Sequence, residues 1–204
     1  MVTAIVGRPK NLSSTQPSNN ISEQVYKSQL FRNLNTNEIF SICRHEVTTK
    51  NGDINNLFKI YHQNIQGLTG KTNELMLSLL TEAPHFICLT EHHLKNYEID
   101  ATPISKYKLG AKYCRKKLKN GGVCIYIQET LKFTNINLQK HCKEQDIEVA
   151  AVQLKLNKKN IIILSVYRAP SGDFDYFLNK LDSILNSLHN YKTEFIICGD
   201  INYL

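Results

Sequence analysis

The sequence contains no tryptophan, and its six cysteines form no Cys-x-x-Cys pair. No histidine stands at zinc-finger spacing from any of them, which argues against a structural zinc site. Cys88, Cys124 and Cys198 fall inside apolar runs, where a free thiol packs as a small hydrophobe. Reduced core thiols in an intracellular protein are therefore expected. No apolar run approaches the length of a membrane span, and the N-terminus has no long apolar segment. Neither a membrane helix nor a secretory signal is expected, so Asn-Leu-Ser at 11–13 and Asn-Ile-Ser at 20–22 should stay unglycosylated. There is no G-x-x-x-x-G-K-[ST] or G-x-G-x-x-G loop, no Cys-His or Ser-His pair that stands out as a nucleophile, no internal repeat and no coiled coil.

What is present suits one domain, or one domain with a tail: 204 residues, 42% hydrophobic. The net charge of +7 favours a polyanionic partner. Asn11 to Ser22 is rich in Ser, Asn, Thr, Gln and Pro, which bury little. Residues 1–56 read as a low-complexity tail and linker, with room for a short helix between Glu23 and Glu46. The ordered domain is expected over 57–204.

Leu57 to Ile65 reads as a first strand. A helix follows, capped within Thr69 to Asn73 and running to about Glu82, with Leu75, Met76, Leu79 and Leu80 on one face. Pro84 ends it, and Phe86 to Leu89 forms a second buried strand, a βαβ unit whose strands should be parallel. Tyr107 to Tyr113 and Gly122 to Ile127 are strands flanking a basic hairpin loop that carries Arg115, Lys116, Lys117 and Lys119. Phe133 to Leu138 alternates weakly. Asp146 to Leu156 alternates in two phases, which predicts a bulge. Ile161 to Tyr167 is the longest β-branched run and a central strand. Ser171 or Asp173 caps a helix whose apolar residues, from Phe174 to Leu188, recur at helical spacing. The last strand, Phe195 to Cys198, has no alternation and suits burial on both faces.

Polar groups gather where these strands end: Asn64, Glu91, Tyr167 with Arg168, and Asp200 with Asn202. Carboxyl ends of buried strands are where α/β proteins place chemistry. For each residue a strand-end cap or a locally paired polar group is the competing structural reading. The set is rich in hard oxygen donors, which suit Mg²⁺ or Mn²⁺ rather than Zn²⁺. Mg²⁺, phosphate donors and a water-holding Asp are what phosphodiester hydrolysis requires. His62, His92 and His93 lie near the same ends and read as surface or supporting residues.

Five segments, in order, carry a resemblance: Gln63-Asn64-Ile65-Gln66-Gly67-Leu68, Leu89-Thr90-Glu91-His92-His93-Leu94, Gly121-Gly122-Val123-Cys124-Ile125-Tyr126-Ile127, Val166-Tyr167-Arg168-Ala169-Pro170 and Gly199-Asp200-Ile201-Asn202. From Leu57 to Leu204 the chain resembles the endonuclease domain of non-LTR (LINE-type) retrotransposons, within the endonuclease/exonuclease/phosphatase superfamily. The resemblance implies an α/β fold: a DNase I-like sandwich of two mixed β-sheets with outer helices, the second sheet incomplete. It implies Glu91 as principal metal ligand with Asn64 beside it, and Asp200 orienting the attacking water. Asn202 and Tyr167 would contact the phosphate. Arg168 would support the site or the DNA backbone; apart from the resemblance, the basic loop of Arg115, Lys116, Lys117 and Lys119 reads as a contact for DNA phosphates or as a solvated hairpin. It implies Mg²⁺, with Mn²⁺ as an alternative, no organic cofactor, a DNA partner, no membrane, and an intracellular, nuclear location.

In that family further strands follow the Gly-Asp-x-Asn motif, with another active-site Asp and an Asp-His pair, and His141 and His189 sit in the wrong context to replace that His. By the same resemblance the Phe195 strand is an exposed sheet edge and activity is impaired. The alternative function is a non-catalytic retroelement remnant with weak nucleic-acid binding. A phosphatase of the same superfamily is disfavoured by the Leu-Thr-Glu-His-His-Leu and Tyr-Arg-Ala-Pro motifs.

Overall fold

A computed structural model describes residues 58–80, 83–156 and 159–202, and the backbone of 5–7, 28–32 and 39–43. Eleven strands are described: β1 Ile5–Gly7, β2 Ser28–Arg32, β3 Ile39–Cys43, β4 Ile60–Asn64, β5 Phe86–Thr90, β6 Tyr107–Tyr113, β7 Val123–Gln128, β8 Thr134–Ile136, β9 Glu148–Lys155, β10 Asn160–Tyr167 and β11 Thr193–Asp200. The helices are α1 Thr72–Leu79, α2 Asn96–Asp100 and α3 Phe174–Leu188.

Two mixed sheets pack face to face. One runs β4-β5-β7-β6, with β4 and β5 parallel and the rest antiparallel. The other runs β1-β11-β10-β9-β8, with only β10 and β11 parallel. The period-2 alternation of strands divides each sheet between two cores. Ile161 and Ile163 of β10, Ile196 and Cys198 of β11, Phe86 and Cys88 of β5 and Ile125 of β7 meet between the sheets. Ile162, Leu164 and Val166 face the other way, onto Phe177 and Ile184 of α3. Ile87, Leu89 and Tyr126 likewise face Leu75 and Leu79 of α1 and Ile99 of α2. The order is therefore helices, sheet, sheet, helix. Both faces of the central strands are covered, which is why their sequences read as continuous apolar runs.

This arrangement also corrects the bulge expected in the Asp146–Leu156 strand. Pairing from Glu148↔Tyr167 to Lys155↔Asn160 is unbroken. The two phases arise because Ala150, Val152 and Leu154 enter the inter-sheet core while Val149 and Ala151 face α3. The register does shift in β6, between Leu109 and Ala111.

Asp173 caps α3 as expected, its carboxylate accepting the Tyr176 N–H. α1 has no side-chain cap and stops at Leu79. Leu80, expected on its apolar face, is 67% exposed. The exposed edge expected at β11 is partly covered: β1 pairs antiparallel with it, Ile5↔Ile197 to Gly7↔Phe195. Within Glu23–Glu46, 28–32 and 39–43 form an antiparallel strand pair rather than a helix, and β3 runs beside β4. Among the described residues no helix is long and apolar enough to cross a membrane, and Cys88, Cys114, Cys124, Cys142 and Cys198 are free.

Candidate active site

The carboxyl ends of β4, β5, β10 and β11 meet at one rim of the sandwich. Asn64 ends β4 and Glu91 follows β5 in one sheet; Tyr167 ends β10 and Asp200 ends β11 in the other. Parallel registers align these ends, pairing Asn64 with Thr90 and Tyr167 with Asp200. Asn64 Nδ2 donates to Glu91 Oε1 at 2.8 Å and to Asp200 Oδ2 at 2.7 Å. One amide thus joins carboxylates from two sheets. The Gln66 N–H donates to Asn64 Oδ1 at 3.3 Å and fixes which way that amide faces.

The backbone is strained around this rim. Gln66, Glu91, His93 and Asn202 adopt φ of +45°, +54°, +62° and +48°. A side chain pays about 1–3 kcal/mol for such a conformation, and these residues cluster at functional sites. Gly122, at φ +90°, permits the approach of the neighbouring loop: a Cβ there would lie 2.5 Å from the His92 ring. That ring is fully buried. It accepts the Leu94 N–H at Nδ1 and bonds the Tyr113 carbonyl through Nε2. Burial pushes its pKa down to about 4, so His92 is a neutral structural member of the rim.

His93 differs. Its Nε2 lies 3.3 Å from Glu91 Oε2, and it is the described histidine that touches a candidate carboxylate. Burial, and after it the nearby Glu91 carboxylate, raise the Tyr167 phenol well above its ordinary range, so it stays protonated. One step below the rim, facing the inter-sheet core, His62 is fully buried with both ring nitrogens unpartnered, and burial lowers its pKa to about 4.

Asn202 points elsewhere: its Nδ2 donates to the Arg168 carbonyl at 2.6 Å. Arg168 is buried, and its guanidinium donates to the carbonyls of Ile201 at 2.9 Å and Asn202 at 2.6 Å. It staples the turn after β11 rather than facing a DNA backbone. Arg115 is also turned inward. Its Nε lies 2.5 Å from Glu148 Oε1, Nη2 of the same guanidinium is 2.5 Å from that oxygen, and its Cζ stands 5.9 Å from the Tyr167 ring centroid. Lys116, Lys117 and Lys119 are exposed on the loop. The structure thus brings together Asn64, Glu91, Tyr167 and Asp200, and turns the guanidiniums of Arg115 and Arg168 inward, onto Glu148 and onto main-chain carbonyls.

Glu148 escapes a sequence reading. It opens an alternating strand and looks like any solvated strand-end acid, but the side chain is fully buried. Gly122 N–H donates to its Oε2 at 2.6 Å and Gln145 N–H to its Oε1 at 3.2 Å. Burial raises its pKa against the opposing pull of Arg115 and these N–H groups.

No protein-family profile matches the chain, and no curated protein matches it in sequence. Solved structures do match. The endonuclease domain of TRAS1, a telomere-specific non-LTR retrotransposon, superposes with TM-score 0.54 at 13% identity, covering 71% of this chain and 60% of that one. TDP2 of D. rerio, in complex with a single-strand DNA product, gives 0.51 at 14%, covering 71% and 60%. The AP endonuclease LMAP of Leishmania major gives 0.51 at 18%, covering 70% and 54%. The chain has the α/β fold of two mixed β-sheets that these structures share, a DNase I-like sandwich. It spans about 54–60% of the length of these three structures.

Proposed function

We propose that this chain is a Mg²⁺-dependent DNA endonuclease domain of retrotransposon origin. The observation that carries the reading is the Asn64 amide, which holds Glu91 and Asp200 together across the mouth of two sheets. No group of three or more His, Cys, Asp or Glu side chains able to hold a metal occurs among the described residues. Mg²⁺ does not require one, since it is commonly bound by one or two carboxylates, with water and substrate phosphate completing its shell. Glu91 supplies carboxylate oxygen of the right hardness, and Asn64, whose Oδ1 accepts the Gln66 N–H, holds that carboxylate through Nδ2 rather than turning its oxygen to the ion. When bound, the ion would polarise the phosphoryl group and stabilise the leaving oxyanion.

The chain's own groups have separate tasks. Asp200 accepts a proton from the attacking water and orients it. Asn64 keeps the two carboxylates at fixed separation, so that the water-holding and metal-holding groups are preorganised. Tyr167, which stays protonated, would turn its single O–H to a phosphoryl oxygen of bound substrate. Lys116, Lys117 and Lys119 attract the DNA backbone.

A second reading, binding without hydrolysis, is favoured by one observation. The Asn202 amide, expected on the scissile phosphate, is engaged by the Arg168 carbonyl. Relaxation of supercoiled plasmid separates the two. The proposed activity requires nicking that depends on Mg²⁺, stops with chelator and is lost in a folded Glu91→Gln variant. DNA binding with no nicking would favour the second reading.

A further inference from the structure

The loop between β6 and β7 does something its lysines alone do not explain. Three consecutive main-chain N–H groups converge on one carboxylate. Lys116 N–H and Lys117 N–H donate to Glu144 Oε1 at 2.7 and 3.0 Å, and Leu118 N–H donates to Oε2 at 2.8 Å. Such a run of N–H groups is an anion-binding nest. Its occupant belongs to the chain itself. A phosphodiester presents the same chemistry as a carboxylate: two terminal oxygens sharing one negative charge.

The surroundings suit a phosphate better than they suit Glu144 alone. Lys116, Lys117 and Lys119 are exposed, and among the described residues none makes an ion pair. The nest stands on the same rim as the candidate site, for the carbonyls of Gly121 and Gly122 accept the N–H groups of His93 and His92 beside Glu91. Nor does the loop depend on Glu144 for its shape. Arg115 ties it to Glu148 and, through Nη1, to the Lys119 carbonyl. Gly122 N–H is tied to Glu148, and Lys95 Nζ donates to the Arg115 carbonyl at 3.0 Å. These bonds leave the N–H groups in place when the carboxylate leaves.

We propose that the N–H groups of Lys116, Lys117 and Leu118 bind a backbone phosphate of the DNA substrate, and that Glu144 occupies this position until DNA displaces it. The inference rests on the reading of the chain as a DNA endonuclease but names a second contact, outside the reacting centre. Glu144 then acts as an internal competitor. It lowers affinity for stray anions and sets a threshold that a polyanion, which also engages the three lysines, overcomes.

The test uses the full chain in chelator, so that failure of nicking and failure of this site are read separately. Binding of a labelled duplex oligonucleotide is followed by anisotropy, and the 116–118 amide resonances are followed against inorganic phosphate and against the duplex. Glu144→Ala should bind the duplex about tenfold tighter, the loss of one charge-assisted competitor. Its affinity should fall more steeply with salt, by about one in the log–log slope. The 116–118 amides should shift with the duplex in both proteins, and with inorganic phosphate only in Glu144→Ala. Glu144→Gln, which keeps the volume and drops the charge, should fall between the two. Duplex affinity that is unchanged or weaker in both variants, with those amides unmoved, would make Glu144 a loop latch and overturn the proposal. Amides that take up inorganic phosphate while duplex affinity stays constant would overturn it as well, leaving a site for free phosphate only.

Discussion

Replacing Arg115 by alanine separates a DNA-contacting loop cation from a core ion pair. Its guanidinium contacts Glu148 through both Nε and Nη2 at 2.5 Å, and the Glu148 side chain has no exposure. Without Arg115, that carboxylate keeps only the N–H groups of Gly122 and Gln145. Breaking one side of a buried pair costs about 3–5 kcal/mol, about a fifth or more of the roughly 5–15 kcal/mol that holds a domain together. The pH dependence follows from the raised pKa of Glu148, which loses its largest charged support. Between the unfolded and folded carboxyl pKa values the native state binds more protons than the unfolded state, so stability falls as pH rises. The deficit of Arg115→Ala should therefore be larger at pH 7 than at pH 5. Urea unfolding followed by circular dichroism reads this directly, with Lys117→Ala as the exposed control, expected within about 0.5 kcal/mol of the parent. Arg115→Ala paired with Glu148→Gln should recover part of the loss. An Arg115→Ala variant as stable as Lys117→Ala would return Arg115 to the solvent-facing loop and refute the reasoning.

Other perturbations reach the remaining parts of the site. His62 and His92, both held near pKa 4 by burial against an ordinary 6.5, stay neutral in the fold while the unfolded chain takes up protons. Stability should be full above pH 6.5 and fall towards pH 4, by up to about 2.7 kcal/mol per pH unit for two protons; His62→Leu should halve the slope of the urea midpoint against pH, and a flat midpoint would contradict both assignments. A Cβ at Gly199 would overlap the Val166 carbonyl in the β10–β11 ladder, so Gly199→Ala should cost about 1–3 kcal/mol in thermal unfolding and displace Asp200. Tyr167→Phe removes the hydroxyl beside the Glu91 carboxylate and should lower kcat by roughly tenfold or more with unchanged unfolding; a variant that unfolds more easily would mark the hydroxyl as structural.

The sequence makes the layered sandwich legible because its strands are covered on both faces. Runs such as Ile161–Val166 and Phe195–Cys198 need no alternation to be placed in central strands. The strand-end polar residues were legible for the same reason: each follows an apolar run that cannot continue. What escaped depends on long-range pairing. The double phase of β9 looks like a bulge until two cores are seen to share the strand. Arg115 and its lysine neighbours are indistinguishable as letters, and only Glu148, 33 residues away, decides that one turns in while the others stay out. Arg168 belongs to the strand-end motif, yet its guanidinium serves the carbonyls of residues 201 and 202. The partial cover that β1 gives β11 lies in a segment whose composition suggests only a tail.

The central claim is that Asn64, Glu91 and Asp200 act as one site across the two sheets. Single-turnover cleavage of a defined duplex in Mg²⁺ tests it, with Asn64→Leu, Glu91→Gln and Asp200→Asn, singly and in pairs, each verified as folded. Residues that act as a unit are grossly non-additive. The account predicts a parent that cleaves, single variants that each lose about a thousandfold or more, and pairs that lose little beyond the singles. A folded parent that binds the duplex and leaves it intact, or losses that simply multiply from one variant to the next, would contradict it.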